Sequence, residues 1–228
     1  MKIFNSLTGK KETFKPKIKK EVSIYICGLT PYDDVHIGHA RTFINFDVIV
    51  KFLRFIGFKV KYVRNITDVD DKIINRAKEE GVPALDFSRK FIEEMHNDFL
   101  SLGIESPDIE PKVSDHIDEI ISMIQSLEEK GYAYRKDESD VYFDIQKFKE
   151  YGKLANRTLD QLSAAERTIT DLNKNHEADF VLWKIDTDGI TWPSPWGEGR
   201  PGWHIECSAM SIKYLGEEFD IHGGGLDL

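Results

Sequence analysis

This chain of 228 residues has only two cysteines, and no apolar run approaches the roughly 20 residues that a membrane-spanning helix needs. Two cysteines are too few for a disulfide framework, so a reducing compartment suits them better, as free thiols or metal ligands. The start, Met1-Lys2-Ile3-Phe4-Asn5, lacks the charged and then apolar design of a signal peptide. A cytoplasmic protein with no membrane partner is expected. Positive charge is also short. A net charge of −9 argues against binding nucleic acid through a broad basic surface, though not against local docking. Lys10, Lys11, Lys15, Lys17, Lys19 and Lys20 form a basic stretch that suits phosphate, yet such runs are more often a solvated face. Missing as well are a P-loop with Gly-Lys-Ser/Thr and a Gly-x-Gly-x-x-Gly opening a helix.

What is present is concentrated between Tyr25 and Arg76. Val22 to Cys27 is β-branched and aromatic and reads as a strand that stops at Gly28, where the turn Leu29-Thr30-Pro31-Tyr32-Asp33-Asp34 begins. His36-Ile37-Gly38-His39 follows. From Ala40, the apolar residues Phe43, Phe46, Ile49, Val50, Leu53 and Ile56 recur at helical spacing until Gly57, and Lys59 to Asn65 reads as a second strand. Strand, crossover helix and parallel strand make a unit whose ligand crevice lies at the carboxyl ends of the strands. A helix amino terminus there favours an anion. His36 and His39 add two donors, and Gly38 lets a flat base or ribose come close. The pattern suits a nucleotide whose phosphate gains charge during reaction, with the histidines as electrostatic stabilisers. Spacing alone fits two ordinary histidines at a helix cap rather better, since short motifs match by chance.

Further along, a helix from Asp70 to Glu80 ends at Gly81, and Phe87, Phe91, Met95 and Phe99 set the buried stripe of the next. Ser114 is placed as the N-cap of a third, with Ile117, Ile120, Ile121, Ile124 and Leu127 on one face and Gly131 as its stop. Ala133 to Arg135 and Val141 to Asp144 read as a hairpin, Arg157 to His176 as a polar surface insertion, and Trp192 to Gly202 as an ordered loop. A helix after Trp203 buries Cys207 and Met210, and Glu218 to Ile221 gives a short strand before His222. Cys27 and Cys207 have no finger or ribbon spacing and, taken alone, read as two buried thiols. Position offers a second reading, since one ends the first strand and the other sits where the sheet resumes, so both could face one crevice.

Cys27-Gly28-Leu29-Thr30-Pro31-Tyr32-Asp33, His36 to Phe43 and Tyr62 to Ile74 resemble cysteinyl-tRNA synthetase, a class I aminoacyl-tRNA synthetase family. Asp140 to Asp144, Gly152-Lys153-Leu154, Asp179 to Lys184, Ser194 to Gly197, Arg200 to Met210 and His222 to Leu228 resemble it in the same order, so the likeness covers essentially the whole chain. The resemblance implies an α/β fold: a Rossmann-like nucleotide-binding parallel sheet interrupted by a helical and hairpin insertion. Its first half would occupy residues 1–80, a connective insertion 81–200, and the start of the second half 201–228. It implies ATP-dependent activation of cysteine to cysteinyl-adenylate and transfer to tRNA(Cys), by a monomer using ATP as co-substrate with Mg2+. His36 and His39 would be catalytic, and Gly38, Thr30 and Tyr32 would meet ATP. Gly28, Thr67, Trp203, His222 and Asp227 would surround the cysteine, Asp227 as a partner for its ammonium. Taken alone, Trp203 reads as a core aromatic and Asp227 as a turn residue. Cys27 and Cys207 would bind zinc, which selects a thiolate over a hydroxyl where an apolar pocket discriminates by only about 1 to 3 kcal/mol.

The sequence departs from the family pattern where the pattern places further zinc ligands, a Lys-Met-Ser-Lys-Ser loop and an anticodon-binding domain. An amino-terminal fragment is therefore expected, almost inactive alone, with weak or partial zinc held with His204, Glu206, His222 or solvent as stand-ins. Two alternatives stay open: a ligase transferring cysteine to an amino sugar, and a non-catalytic paralogue that binds nucleotide or tRNA.

Overall fold

The computed structural model describes residues 1–154, 172–202 and 204–224. It divides into two compact units: one of residues 1–15, 120–187 and 191–205, the other of 16–119, 188–190 and 206–228.

The first unit opens on a hairpin of β1 (Lys2–Asn5) and β2 (Lys10–Thr13). The other unit starts with β3 (Glu21–Ile26), α1 (Ile37–Phe55) and β4 (Lys59–Arg64). Strands β3 and β4 pair in parallel with Ile24 opposite Tyr62, as the alternation of β-branched and aromatic residues implies. Val22, Ile24, Tyr25 and Ile26 are all buried, which marks β3 as a strand covered on both faces. Phe43, Val50 and Leu53 form the inner face of α1.

Helix α2 (Asp71–Glu80) is capped by the Asp70 carboxylate, which accepts from the Lys72 N–H, and it stops at Gly81, whose φ of 69° is left-handed. Helix α3 (Ala84–Ser101) follows Pro83 and buries Phe87, Phe91, Met95 and Phe99, the stripe read from the sequence. Ile73 and Ala77 of α2 pack on Phe87 and Phe91. Both helices belong to the unit that holds β3 and β4, although α3 falls within the 81–200 stretch.

Residues 108–113 then run along the free edge of β4. Asp108 N and Ile109 N donate to Tyr62 O, Arg64 N to Ile109 O, Ile66 N to Pro111 O and Val113 N to Ile66 O. Pro107 and Pro111 keep this segment from showing a strand pattern, because proline is confined to sheet edges. Side chains complete the seam: the Asp108 carboxylate accepts from Tyr62 N at 2.7 Å, and buried Arg64 pairs with Glu110 at 2.6 Å while lying over the Phe43 and Phe99 rings.

Ser114 is not the N-cap expected of it. It lies in a 3-10 turn (Val113–Asp115), and its N–H and hydroxyl both donate to the buried Asp68 carboxylate, at 3.0 and 2.5 Å. Helix α4 (Ile117–Glu129) begins after that turn.

In the first unit, β5 (Ala133–Arg135) and β6 (Val141–Phe143) form the expected hairpin, joined by β7 (Phe180–Ile185) and β8 (Gly199–Pro201) in an antiparallel sheet. Strand β8 lies inside the stretch read as an ordered loop. Asp179, fully buried, accepts from the Tyr134 hydroxyl, Ile145 N and His176 N. Most of the polar stretch from Arg157 to His176 lies outside the described residues.

Helix α5 (Ile205–Leu215) buries Cys207 and Met210 as expected. His116 donates from Nδ1 to Lys112 O at 2.6 Å, which leaves Nε2 to accept from the Tyr214 hydroxyl at 2.8 Å and ties α5 to the start of α4. The last strand, β9 (Ile221–Gly223), starts later than the Glu218 to Ile221 strand read from the sequence. Asp220 is spent otherwise: its carboxylate accepts from Ser23 N, Ser23 Oγ and Lys17 N, each at 2.8 Å. Strand β9 pairs in parallel with β3, giving the order β4-β3-β9, so β3 has a strand reached by crossover on each side. Open parallel sheets place ligands outside the carboxyl end of the strand where the order reverses, which here is β3. Among the described residues, no helix is long and apolar enough to cross a membrane.

Gly223 closes β9 against α1. A Cβ there would lie 2.3 Å from two ring carbons of Phe46. Gly223→Ala is expected to destabilise the chain by about 1 to 3 kcal/mol through overpacking. Urea unfolding checks this, and an unchanged midpoint would contradict the packing described.

Candidate functional site

Beyond Ile26 the backbone of β3 continues in register, with Cys27 N donating to Gly223 O at 2.9 Å. Gly28 comes next, where β3 and β4 approach so closely that a Cβ would stand 1.6 Å from Asn65 O. No other residue fits without moving one of the strands. Gly28 N donates to the Asn65 side-chain oxygen at 2.8 Å, Asn65 Nδ2 donates to Thr67 Oγ1 at 3.1 Å, and Thr67 N donates to Leu29 O. Gly28 and Thr67, both expected around the amino acid, are thus one hydrogen-bonded group centred on Asn65, which is 1% exposed.

The two cysteines, 180 residues apart in the chain, meet beside that group with their sulfurs 3.3 Å apart. Of the two sequence readings, this one puts them in a single crevice. The Cys207 thiol also reaches Asn65 Oδ1 at 3.7 Å. The hydrogen bond between the two sulfurs, burial and the nearby Glu206 carboxylate, in that order, push the Cys207 thiol well above the ordinary range. The fully buried Tyr25 hydroxyl is raised too, by burial first and then by the Cys207 sulfur. His222, exposed in the middle of β9, sets its ring edge-on to Tyr25 at 5.4 Å. Two close, partly desolvated sulfurs are a donor set that a thiophilic divalent cation such as zinc fits, since a metal supplies the positive charge that offsets the cost of burying thiolates. Glu206 and His222 lie in the same compact unit as the cysteines.

The histidine motif caps α1. His36 Nδ1 accepts from Gly38 N at 3.0 Å and His39 N at 3.3 Å, so two first-turn amides expected to face a phosphate are occupied by His36 itself. This leaves the opposite ring nitrogen, Nε2, as the donor of His36. The two rings stack at 3.6 Å. A Cβ on Gly38 would lie 2.8 Å from the His36 ring, so the glycine is required by the cap. Burial, with smaller contributions from His36 and Lys72, lowers the pKa of His39, and its Nδ1 is buried without a hydrogen-bond partner among the described residues.

Thr30 and Tyr32 sit on the turn after β3. Thr30 O accepts from Tyr32 N, and the half-buried Tyr32 ring packs on the Ile73, Ala77, Phe87 and Phe91 cluster with Lys72 Nζ 4.9 Å from its centre. Trp203 and Asp227 lie outside the described residues. Asn65 and Tyr25 are members of the site that sequence reasoning missed, whereas Glu206 was expected there only as a stand-in metal ligand. The signal available was a run of polar residues, Arg64-Asn65-Ile66-Thr67-Asp68, where a strand ends in a crevice. A cleft of about 480 Å3 opens at the opposite, amino ends of β3 and β4. Its charges are matched locally, Lys17 with Glu218 and Lys59 with Glu21, and nothing there resembles the thiol group.

Comparison with known proteins bears on the family and the fold. A family model described as the class I (C) tRNA synthetase catalytic domain matches residues 13–228. A cysteine–tRNA ligase of Idiomarina loihiensis is 56% identical over 99% of this chain and 50% of its own length. One of Thermodesulfovibrio yellowstonii is 55% identical, over 100% and 48%. The chain therefore spans about half the length of the curated relatives it matches. Among solved structures, a Mycobacterium tuberculosis methionyl-tRNA synthetase in complex with methionyl-adenylate aligns at a TM-score of 0.70 and 15% identity, over 92% of this chain and 52% of that one. It shares the fold.

The lowered pKa of His39 fixes a pH dependence. Its folded-state value lies below that of the unfolded chain, so the unfolded state binds more protons between the two. The His39 contribution is complete above about pH 6.5 and is lost as pH falls from there through the folded value. Its ring protons should titrate with a midpoint under 6.5 in NMR spectra; a midpoint at or above that value contradicts the stacked, half-buried geometry.

Proposed function

Because this chain belongs to the family of class I (C) tRNA synthetase catalytic domains, we propose that it forms the amino-acid-activating part of a cysteine–tRNA ligase. The carboxylate of cysteine attacks the α-phosphate of ATP, giving cysteinyl-adenylate and pyrophosphate, and the cysteinyl group then passes to tRNA(Cys). The single observation that carries this reading is the meeting of Cys27 and Cys207, 3.3 Å apart, beyond the carboxyl end of the central strand. The domain plan proposed with it is a nucleotide-binding half begun in residues 1–80 and resumed at 201–228, with a connective insertion over 81–200. A cytoplasmic monomer that uses Mg2+ with ATP completes the proposal.

Little proton transfer is needed in the activation step, so the work falls on positioning and on stabilising charge. His36 and His39 would supply imidazole donors to the phosphates at the start of α1. A neutral His39 can donate without placing a fixed cation in the ground state. Gly38, Thr30 and Tyr32 would border the nucleotide. Gly28 and Thr67, held together through Asn65, would form the floor beneath the amino acid, with His222, Trp203 and Asp227 around it. Cys27 and Cys207 would hold zinc, which when bound offers a soft acceptor that favours a substrate thiolate over a hydroxyl. The buried Tyr25 ring would keep water from those sulfurs.

The test compares non-hydrolysable analogues of cysteinyl-adenylate and seryl-adenylate by titration calorimetry on this chain with one equivalent of zinc. The cysteinyl analogue should bind at least about tenfold tighter, a preference that a chelator abolishes. Equal binding of the two, with or without metal, would rule out thiol selection at this site.

A further inference from the structure

The proposed function leaves open what fixes Cys207, which lies on α5, relative to the ends of β3 and β4. Asn65 touches each of the three. Its Oδ1 accepts from Gly28 N at 2.8 Å and from the Cys207 thiol at 3.7 Å, and its Nδ2 donates to Thr67 Oγ1 at 3.1 Å. The orientation of the amide is not arbitrary. A backbone N–H can only donate, so the group facing Gly28 must be the carbonyl oxygen, and the amine must then face Thr67. With 1% of its surface exposed, Asn65 has no water to replace these partners. Its own carbonyl also explains why position 28 has no side chain, since a Cβ there would overlap Asn65 O. Backbone and side chain of one residue therefore set the spacing between the strand that carries Cys27, the segment that carries Thr67 and the helix that carries Cys207.

We propose that Asn65 is a positioning residue that sets the Cys207 sulfur against Cys27 and couples the thiol pair to the amino-acid floor at Gly28 and Thr67. The metal part of this rests on the function proposed above; the thiol geometry does not. Leucine matches asparagine in shape and lacks every polar contact, whereas aspartate keeps the shape and the acceptor oxygen, with the Thr67 hydroxyl turning to donate. A role in filling space would be satisfied by leucine. A role in positioning is satisfied only by aspartate.

The experiment uses this chain as native protein, Asn65→Leu, Asn65→Asp and Ser114→Ala. The last loses a part-buried bond to Asp68 in the same unit and controls for general loosening. Cobalt(II) is the metal probe, read by its sulfur-to-metal absorption, and iodoacetamide alkylation of Cys207 relative to Cys27 is read separately in chelator. Asn65→Leu should weaken cobalt binding at least about tenfold, the usual effect of losing an outer-shell partner, and should raise the Cys207 to Cys27 alkylation ratio by a similar factor. Asn65→Asp, which keeps the acceptor that the Cys207 thiol meets, should stay within about threefold of native in the alkylation ratio, and Ser114→Ala should do so on both readouts. Native behaviour of Asn65→Leu, or an equal loss in Ser114→Ala, overturns the proposal. If Asn65→Leu does not fold, Asn65→Asp decides: a native-like alkylation ratio supports the acceptor role, and a roughly tenfold rise in that ratio overturns it. If the native chain shows no sulfur-to-cobalt band, the metal reading of the pair fails, while the alkylation ratios, which need no metal, still decide the role of Asn65.

Discussion

Two parallel strands end against each other at Gly28 and Asn65, closer than any side chain at position 28 would allow, and the functional geometry depends on that contact. The approach strands the Gly28 N–H inside the protein, where an unpaired donor costs about 1 to 3 kcal/mol. The Asn65 carboxamide satisfies it and in doing so points its other edge at Thr67 and its oxygen at Cys207. A constraint on backbone packing thereby becomes the scaffold of a thiol site. Cys27 is carried there by β3, one residue past the strand, and Cys207 by a helix that the chain reaches only after a second compact unit.

The same device recurs wherever the sheet would otherwise lose pairing. Asp68 takes both donors of Ser114, Asp220 takes the Ser23 N–H and hydroxyl, and Asp108 takes Tyr62 N. Each is a carboxylate replacing a carbonyl at the edge or end of a strand. Burial alone raises the Asp68 carboxyl, and the two Ser114 donors oppose the shift without cancelling it. These junctions make the central unit a set of strand ends tied by side chains, which suits a crevice that must keep its shape without a backbone ladder.

Helices α1, α2 and α3 and the β5–β6 hairpin were legible because local periodicity and turn residues are strong signals, and Phe87, Phe91, Met95 and Phe99 face inward as their spacing requires. Segment 108–113 was not, since two prolines hide an edge strand that a neighbouring strand selects. Ser114 and Asp220 were misplaced for a related reason: their partners, Asp68 and Ser23, are 46 and 197 residues away, and no local rule reaches that far. At the site, Cys27, Cys207, Gly28 and Thr67 were found through resemblance to a family, whereas Asn65 was overlooked because its role exists only once three distant segments converge. The histidine motif was located correctly, but His36 uses one nitrogen to cap its own helix, a local competition that spacing alone does not reveal.

The central claim is that two cysteines from opposite ends of the chain form one thiolate site at the carboxyl end of β3. X-ray absorption at the zinc edge, on this chain loaded with one equivalent of zinc, measures that arrangement directly. The account predicts two sulfur neighbours at about 2.3 Å in the native protein and one in either Cys27→Ser or Cys207→Ser. A first shell made only of nitrogen and oxygen, or a sulfur count that neither substitution changes, would contradict it.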